Sequence, residues 1–339
     1  MTMQLQWKVE RQNLREMIQK NKDRLLVGVG VANGYEARQF HHTIHELYAQ
    51  NAVPDFIGGF ITFVSGYLCA ASLGLPDMGY ILRAEIAQQT NIIEQATWLA
   101  ALDTQKPAFP IGVDIDTGYG NEPASVILTC RQVHKQGAQY VQIEDQYAIN
   151  KTCGHMDGAK GTGKEVVSAE EMIETRIKPA VAYARSQEDL IVMARTDAIS
   201  PYGFEEGIRR GHLYAEAGAE MLFIEALLDD AQLKDTANEF GKSDAVIVAN
   251  MIEGSPKTPY KSPYELHQMG FNMALYCIGT LLAGRVAQQR YFGIIGRGQS
   301  VMSGFEESPE HWFDGFNTVI GREQTERINS FFMGLPHQD

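Results

Sequence analysis

Two aspartates, Asp114 and Asp116, stand two residues apart in the run VDIDTGYG at the end of a short apolar stretch. If that stretch is a strand, both side chains leave it on the same face. Two carboxylates held together repel each other unless a cation lies between them. Hard oxygen donors suit Mg2+, which takes one or two protein carboxylates and keeps several waters. A solvated acidic turn is the alternative. Glu144 and Asp145 close the next apolar run, and by alternation one of them points inward. Asp77 follows the glycine-rich stretch SGYLCAASLGLPD, where it either reaches the same place or serves the turn after Pro76. Arg195 and Asp197 in ARTDA are again two apart. An arginine so placed can grip a carboxylate at two points with Asp197 steadying it, or the two form a rim ion pair. Cys153 lies in NKTCGH between Lys151 and His155. Neighbouring cations lower a thiol's pKa and would let it transfer a proton. An inert cysteine is the alternative, and it is the reading adopted for Cys69, Cys130 and Cys277.

The elements that must position these groups are legible as eight apolar runs: Leu25–Val31, Phe60–Val64, Ile111–Ile115, Tyr140–Ile143, Leu190–Met193, Met221–Ile224, Ala245–Val248 and Met273–Cys277. Each reads as a strand buried on both faces of a parallel sheet, with helical patterns between them such as Ser168–Ser186, opened by a capping box with Glu171, and Gly207–Ala217. Nearly every run ends in a polar or glycine cluster. That favours an α/β fold of the (β/α)8 TIM-barrel type, whose catalytic groups sit at the C-terminal strand ends, over an open doubly wound sheet. The first turn, GVGVANG, lacks the dinucleotide-binding spacing. Residues 1–300 are expected to form the barrel with an N-terminal helix, and residues 301–339 a C-terminal helical tail making subunit contacts. The polar, glycine-rich segment Tyr147–Val166 is expected to loop over the barrel mouth.

The chain has 339 residues, 44% of them hydrophobic, enough to bury a large core. A net charge of −13 speaks against non-specific nucleic-acid binding and leaves room for a small anionic substrate at a locally basic site. Four sparse cysteines, the absence of an apolar leader and the absence of a membrane-length apolar run are expected of a cytoplasmic protein with reduced thiols. Three patterns are set aside. The near P-loop Gly158–Lys164 has Glu165 where Ser or Thr is needed. His41, His42 and His45 are expected on a solvated helix face. Gly293–Ser300 reads as a helix stop leading into the tail.

Taken in order, Ser65–Gly66, LGLPD ending at Asp77, VDIDTGYG at 113–120, IEDQ at 143–146, KTCGH at 151–155, ARTDA at 194–198, Glu225–Ala226 and ANMIEG at 249–254 resemble the isocitrate lyase/phosphoenolpyruvate mutase superfamily from about Leu25 to Arg285. The resemblance implies a homotetramer with swapped C-terminal helices. It implies Mg2+, with Mn2+ as a substitute, held by Asp116 with Asp114, Asp77 and Glu144 contributing. It implies substrate carboxylates bound by Ser65, Gly66, Gly154, Arg195, Glu225 and Asn250. The Cys153-Gly154-His155 loop resembles that of the carbon–carbon lyases, where mutases carry Asn-Ser in place of Cys-Gly. In such lyases the metal stabilises the alkoxide and the 2-oxo product, and the loop cysteine protonates the aci-carboxylate. Lys151 and His155 would assist. Two departures stand out: Thr152 replaces a basic residue, and Phe63 stands where many of these lyases have tyrosine. Tyr67, on the same side of an extended stretch, is the expected substitute for deprotonating the substrate hydroxyl. The implied substrate is a methylisocitrate-, isocitrate- or dimethylmalate-like acid. The alternatives are oxaloacetate hydrolysis or decarboxylation, phosphonopyruvate P–C chemistry, and a non-catalytic barrel serving as a binding subunit.

Overall fold

The computed structural model describes residues 9–149, 151–156, 164–255, 257–303, 305 and 311–333. The near P-loop stretch at 158–163 lies outside them, as does much of the segment between residues 304 and 310. Eight parallel strands close into a barrel in chain order: β1 Leu25–Gly30, β2 Ile57–Val64, β3 Ile111–Asp114, β4 Ala138–Glu144, β5 Ile191–Thr196, β6 Met221–Ile224, β7 Val246–Met251 and β8 Met273–Tyr276, with β8 pairing back to β1. Every strand expected from the apolar runs is present, in a (β/α)8 TIM barrel with helices before and after it. No helix among the described residues is long and apolar enough to cross a membrane.

Strand alternation sorts the apolar residues into two cores. Ile61, Phe63, Tyr140, Met193, Phe223, Val248 and Leu275 fill the barrel interior. Val64, Val113, Val141, Val192, Leu222 and Ile247 face the surrounding helices. A strand buried on both faces has no polar side to show, which is why these strands read as unbroken apolar runs. Tyr140 lies over Gly112, where an added Cβ would come within 1.9 Å of its ring, and stacks on Phe63 with ring centroids 6.1 Å apart.

The helix expected over 168–186 is present with a widened turn: α-helix over Ala169–Met172, π-helix over Ile173–Ile177, then α-helix over Lys178–Arg185. Pro179 has no N–H to donate back one turn, and the Lys178 N–H bonds instead to the Ile173 carbonyl. Ser168 Oγ accepts from the Glu171 N–H at the N-cap. The wide turn carries Arg176, whose Nη1 donates to the carbonyls of Glu144 and Gln146, both at 2.7 Å, and so braces the end of β4.

His41 is buried rather than solvated, a correction to the sequence reading. The helix Gly34–Ala49 packs on Arg83–Thr104, so His41 Nε2 meets Thr104 Oγ1 at 2.9 Å and His45 stacks on Phe109. Beyond the barrel, Gly279–Gly296 is a long helix ending at the expected glycines, followed by Trp312–Val319 and Arg322–Met333. Trp312–Val319 rests on Gly34–Ala49 of the same chain through Tyr35 against Phe316, and Arg38 Nε donates to the Val319 carbonyl at 2.7 Å.

Asp145 turns away from the barrel interior and is fully buried. It accepts from Thr196 Oγ1, the Asp197 N–H, Arg210 Nη1 and Tyr214 Oη at 2.7–2.9 Å. Removing it takes from the buried Arg210 guanidinium one of its two carboxylate partners, Glu206 being the other. Asp145→Ala is expected to lower the unfolding free energy by about 3–5 kcal/mol, read from urea denaturation. A loss below about 1 kcal/mol would show the network to be incidental.

Candidate active site

The polar groups singled out in the sequence converge at the C-terminal mouth of the barrel. Asp114 ends β3. Asp116 lies just past it in a left-handed conformation, φ 48°, with its N–H donating to Asp114 Oδ1 at 3.0 Å. The two carboxylates therefore meet through a turn and not through the pleat of one strand. Gly66 sits beneath them: a Cβ there would stand 3.0 Å from Asp114 Oδ2 and 3.3 Å from Asp116 Oδ1. Glu144 is the inward member of the acidic pair at the end of β4, with Oε1 accepting from Gln146 Nε2 at 3.3 Å. Asp77 approaches from the segment after the short helix Gly66–Ser72.

This much buried acid alters its own ionisation. Burial, with Asp116 adding to it, pushes the Asp114 carboxyl up to about 7, against the pull of Lys151 and Arg195. Burial also raises Glu144 well above the ordinary carboxylate range. Burial would lower the Lys151 ammonium, but Asp116, Asp77, Glu144 and Asp114 outweigh it and hold it well above its ordinary value. Lys151 Nζ lies 2.7 Å from Asp116 Oδ1 and 2.8 Å from Asp77 Oδ1. Asp116 Oδ1 and Glu144 Oε2 are nevertheless buried acceptors without a hydrogen bond, because the neighbouring Lys151 and Arg195 nitrogens are not aligned as donors. Hard carboxylate oxygens over a glycine cradle, ion-paired to Lys151 and Arg195 but without an aligned hydrogen bond, are donors of the type that fits Mg2+. Among the described residues no three His, Cys, Asp or Glu side chains converge enough to hold an ion unaided.

Arg195, at the end of β5, is gripped at two points by Asp197, Nε to Oδ2 at 2.8 Å and Nη2 to Oδ1 at 3.0 Å. It also faces Glu225 at 3.1 Å and Glu144 at 3.4 Å, and lies over the Phe223 ring. Burial would raise the Glu225 carboxyl, but Arg195 and His155 overcome it and keep it well below the usual range. His155 is bracketed by Glu225 Oε1 at 3.0 Å on Nε2 and Ser255 Oγ at 2.6 Å on Nδ1. Asn250, on β7, donates to Glu225 Oε2 at 3.3 Å and accepts from Cys277 Sγ at 3.0 Å.

The described part of the loop, residues 151–156, is seated on the mouth. Its flanks pair through Gln146 and Val166. Gln146 holds Thr152 from both sides, accepting from its N–H at 3.2 Å and donating to its carbonyl at 2.9 Å. The Cys153 N–H donates to the Asp77 carbonyl at 3.0 Å. Lys164, a residue the sequence did not single out for the site, is buried and ties the Gly154 carbonyl, at 2.7 Å, to Asp197, at 2.9 Å. No site role was read for Gln146 or Lys164 in the sequence, because their ties to the backbone of Thr152 and Gly154 leave no mark in local spacing.

Two expectations are overturned. The Cys153 thiol is not lowered: burial, with Asp77 next, pushes it up to about 12, because the ammonium of Lys151 is turned onto Asp77 and Asp116. Tyr67 does not lie on an extended strand, since β2 stops at Val64 and Ser65 N-caps the helix Gly66–Ser72. Tyr67 still borders the site cavity, and burial, with Cys153 and Asp77 near, raises its phenol above the ordinary value. Ser65, Gly154, Arg195, Glu225 and Asn250 border the same small cavity, of about 30 Å³.

Gly154 sets how closely the loop can seat. A Cβ there would lie 2.2 Å from Glu225 Oε2 and 2.5 Å from Arg195 Nη2. Gly154→Ala is expected to leave the unfolding midpoint unchanged while lowering kcat/KM by about 100-fold, as a misplacement of about 1 Å does. Unaltered kcat/KM would mean that catalysis does not need this seating.

Residues 58–289 match the phosphoenolpyruvate phosphomutase family. The petal death protein of Dianthus caryophyllus is 36% identical over 83% of this chain and 81% of its own length. The 2,3-dimethylmalate lyase of Eubacterium barkeri is 33% identical over 78% of this chain and 84% of its own. A crystal structure of 2,3-dimethylmalate lyase, described as a PEP mutase/isocitrate lyase superfamily member, superposes with a TM-score of 0.73 at 25% identity, covering 96% of this chain and 97% of that one. With its closed barrel and the acids gathered at one mouth, the chain belongs to the phosphoenolpyruvate mutase/isocitrate lyase superfamily of enzymes, which cleave or rearrange bonds to carbon and include the carbon–carbon lyases.

Proposed function

We propose that this enzyme is a Mg2+-dependent carbon–carbon lyase acting on a small 2-hydroxy-polycarboxylate of the methylisocitrate, isocitrate or dimethylmalate type. The observation that carries the reading is the seated loop, which brings a protonated Cys153 thiol to the same small cavity as Arg195, Glu225 and Asp114. Cleavage of a 2-hydroxy acid between the hydroxyl-bearing carbon and its neighbour passes the hydroxyl proton to a carboxylate bordering the cavity, proposed here to be Asp114, gives a 2-oxo acid and leaves the electron pair on a carbon beside a carboxylate. That carbanion needs stabilisation and then a proton. A Mg2+ bound by Asp116, with Asp114, Asp77 and Glu144 around it, would supply Lewis-acid stabilisation of the developing oxyanion.

The chain's own residues do the rest. Arg195, fixed by Asp197, orients a substrate carboxylate, and Ser65, Gly66, Glu225 and Asn250 border the position it takes. Tyr67 donates a hydrogen bond from its phenol. The Cys153 thiol gives its proton to the carbanion, and the resulting thiolate is reprotonated from solvent once the loop lifts. Gln146, Lys164 and His155 hold the loop down and keep water out while the carbanion lives. The exposed Phe292, Phe313 and Phe332 on the last three helices support assembly into a homo-oligomer through that end of the chain, with a tetramer as the proposed form. The four unpaired cysteines accord with a cytoplasmic setting.

The test is release of a 2-oxo acid from hydroxy acids of these types, with and without chelation of divalent ions. Wild-type turnover should vanish on chelation and return with Mg2+. Cys153→Ser, which keeps the shape but offers a far weaker acid, should lower kcat by about 10²–10⁴-fold with KM little changed. Turnover confined to phosphonopyruvate, or a Cys153→Ser enzyme as fast as wild type, would overturn the assignment.

A further inference from the structure

The β3–β4 ladder ends at Asp114 opposite Gln142, so the carbonyls of Glu144 and Gln146 lie past it. A buried backbone acceptor without a donor is costly. Arg176 supplies the donor, with Nη1 2.7 Å from each of the two carbonyls. The guanidinium is itself buried, and among the described residues it forms no ion pair with a carboxylate. It sits in the widened turn Ile173–Ile177, a geometry that recurs at functional sites.

Gln146 carries that anchorage into the loop. Its side chain is buried and its amide is used at both ends. Nε2 donates to the Thr152 carbonyl at 2.9 Å and to Glu144 Oε1 at 3.3 Å, while Oε1 accepts from the Thr152 N–H at 3.2 Å. Turning the amide over would set its oxygen against the Glu144 carboxylate and its NH2 against the Thr152 N–H, so only one orientation fits. The clamp fixes the backbone one residue before Cys153, whose own N–H donates to the Asp77 carbonyl. A displaced Gln146 backbone takes the amide with it, and hydrogen bonds of this length tolerate little displacement.

We propose that Arg176 is a positioning residue: by gripping the Gln146 carbonyl it sets the Gln146 amide that seats Thr152, and so holds Cys153 at the cavity. Neither Arg176 nor Gln146 borders the cavity, and both act through the loop backbone. The use of Cys153 in the reaction rests on the lyase reading above, whereas the seating of residues 151–156 does not. An Arg176 that merely steadied β4 would, when lost, loosen the barrel as a whole and not this loop in particular.

Alkylation of the full-length, substrate-free enzyme by iodoacetamide, followed at each cysteine by peptide mass spectrometry, reads the seating directly. Cys153 is buried in the seated loop and Cys130 in the helix Pro123–Lys135, so the two rates separate a lifted loop from a loosened barrel. A hydrogen bond lost from the seated state shifts its local opening by about tenfold. Gln146→Ala and Arg176→Met are each expected to raise the Cys153 rate by about tenfold with the Cys130 rate unchanged. The double variant should react little faster than either single one, because both break the same link. Arg176→Lys, which keeps the charge and one donor, should raise the rate by only about threefold. A Cys153 rate in Arg176→Met within about twofold of wild type, or Cys130 accelerated in proportion, overturns the proposal. If Arg176→Met does not fold, Arg176→Lys combined with Gln146→Ala decides: no gain over Gln146→Ala alone supports the link, and multiplied effects overturn it. With a hydroxy acid as substrate, Arg176→Met should lower kcat and leave KM little changed. Faster Cys153 alkylation with kcat unaltered would sustain the seating role and count against Cys153 as the proton donor of the lyase reading.

Discussion

Buried negative charge governs the mouth of this barrel. Asp77, Asp114, Asp116, Glu144, Asp197 and Glu225 gather within one small volume, and the cations drawn in to face them, Lys151, Lys164 and Arg195, are fewer. Carboxylates so placed cannot all ionise without further positive charge. The upward displacement of Asp114 and Glu144, and the acceptors left unsatisfied on Asp116 and Glu144, are two expressions of that imbalance. A divalent cation held there would resolve it and would supply the electrophile that carbanion chemistry needs.

The loop is coupled to the same imbalance. Two of the three cations, Lys151 and Lys164, lie in the loop and its flank, so seating the loop brings positive charge to the acids. It also buries Cys153, and burial, with Asp77 next, raises its thiol against the pull of Arg195. Gly154 is the hinge of the arrangement in the steric sense, since nothing larger fits between the loop and the Arg195–Glu225 pair.

How far this could be read from sequence follows from what each element depends on. All eight strands were visible because burial on both faces leaves continuous apolar runs. The start of β2 was set three residues late because Gly58 and Gly59, which lie under Asn21 and Met17, carry no hydrophobic signal. The acids and Arg195 were visible because barrel chemistry sits at strand ends. The failures concern direction and distance. Adjacency of Lys151 to Cys153 suggested a lowered thiol, yet the lysine side chain leaves for Asp116. Extended geometry was assumed through Tyr67, yet Ser65 starts a helix two residues earlier. His41 reads as polar, but its helix packs that face on Thr104 and Phe109. Gln146 and Lys164 act on backbone carbonyls and distant strands, which leaves no mark in local spacing.

The most direct measurement of the central claim is calorimetric titration of the chelator-treated, full-length enzyme with Mg2+, alongside Asp116→Asn, without substrate. The account predicts saturable binding of one ion per chain and affinity at least about tenfold weaker in the variant. Binding of equal strength in both proteins, or none at millimolar Mg2+, would contradict it and leave the acids to be balanced by Lys151, Lys164 and Arg195 alone.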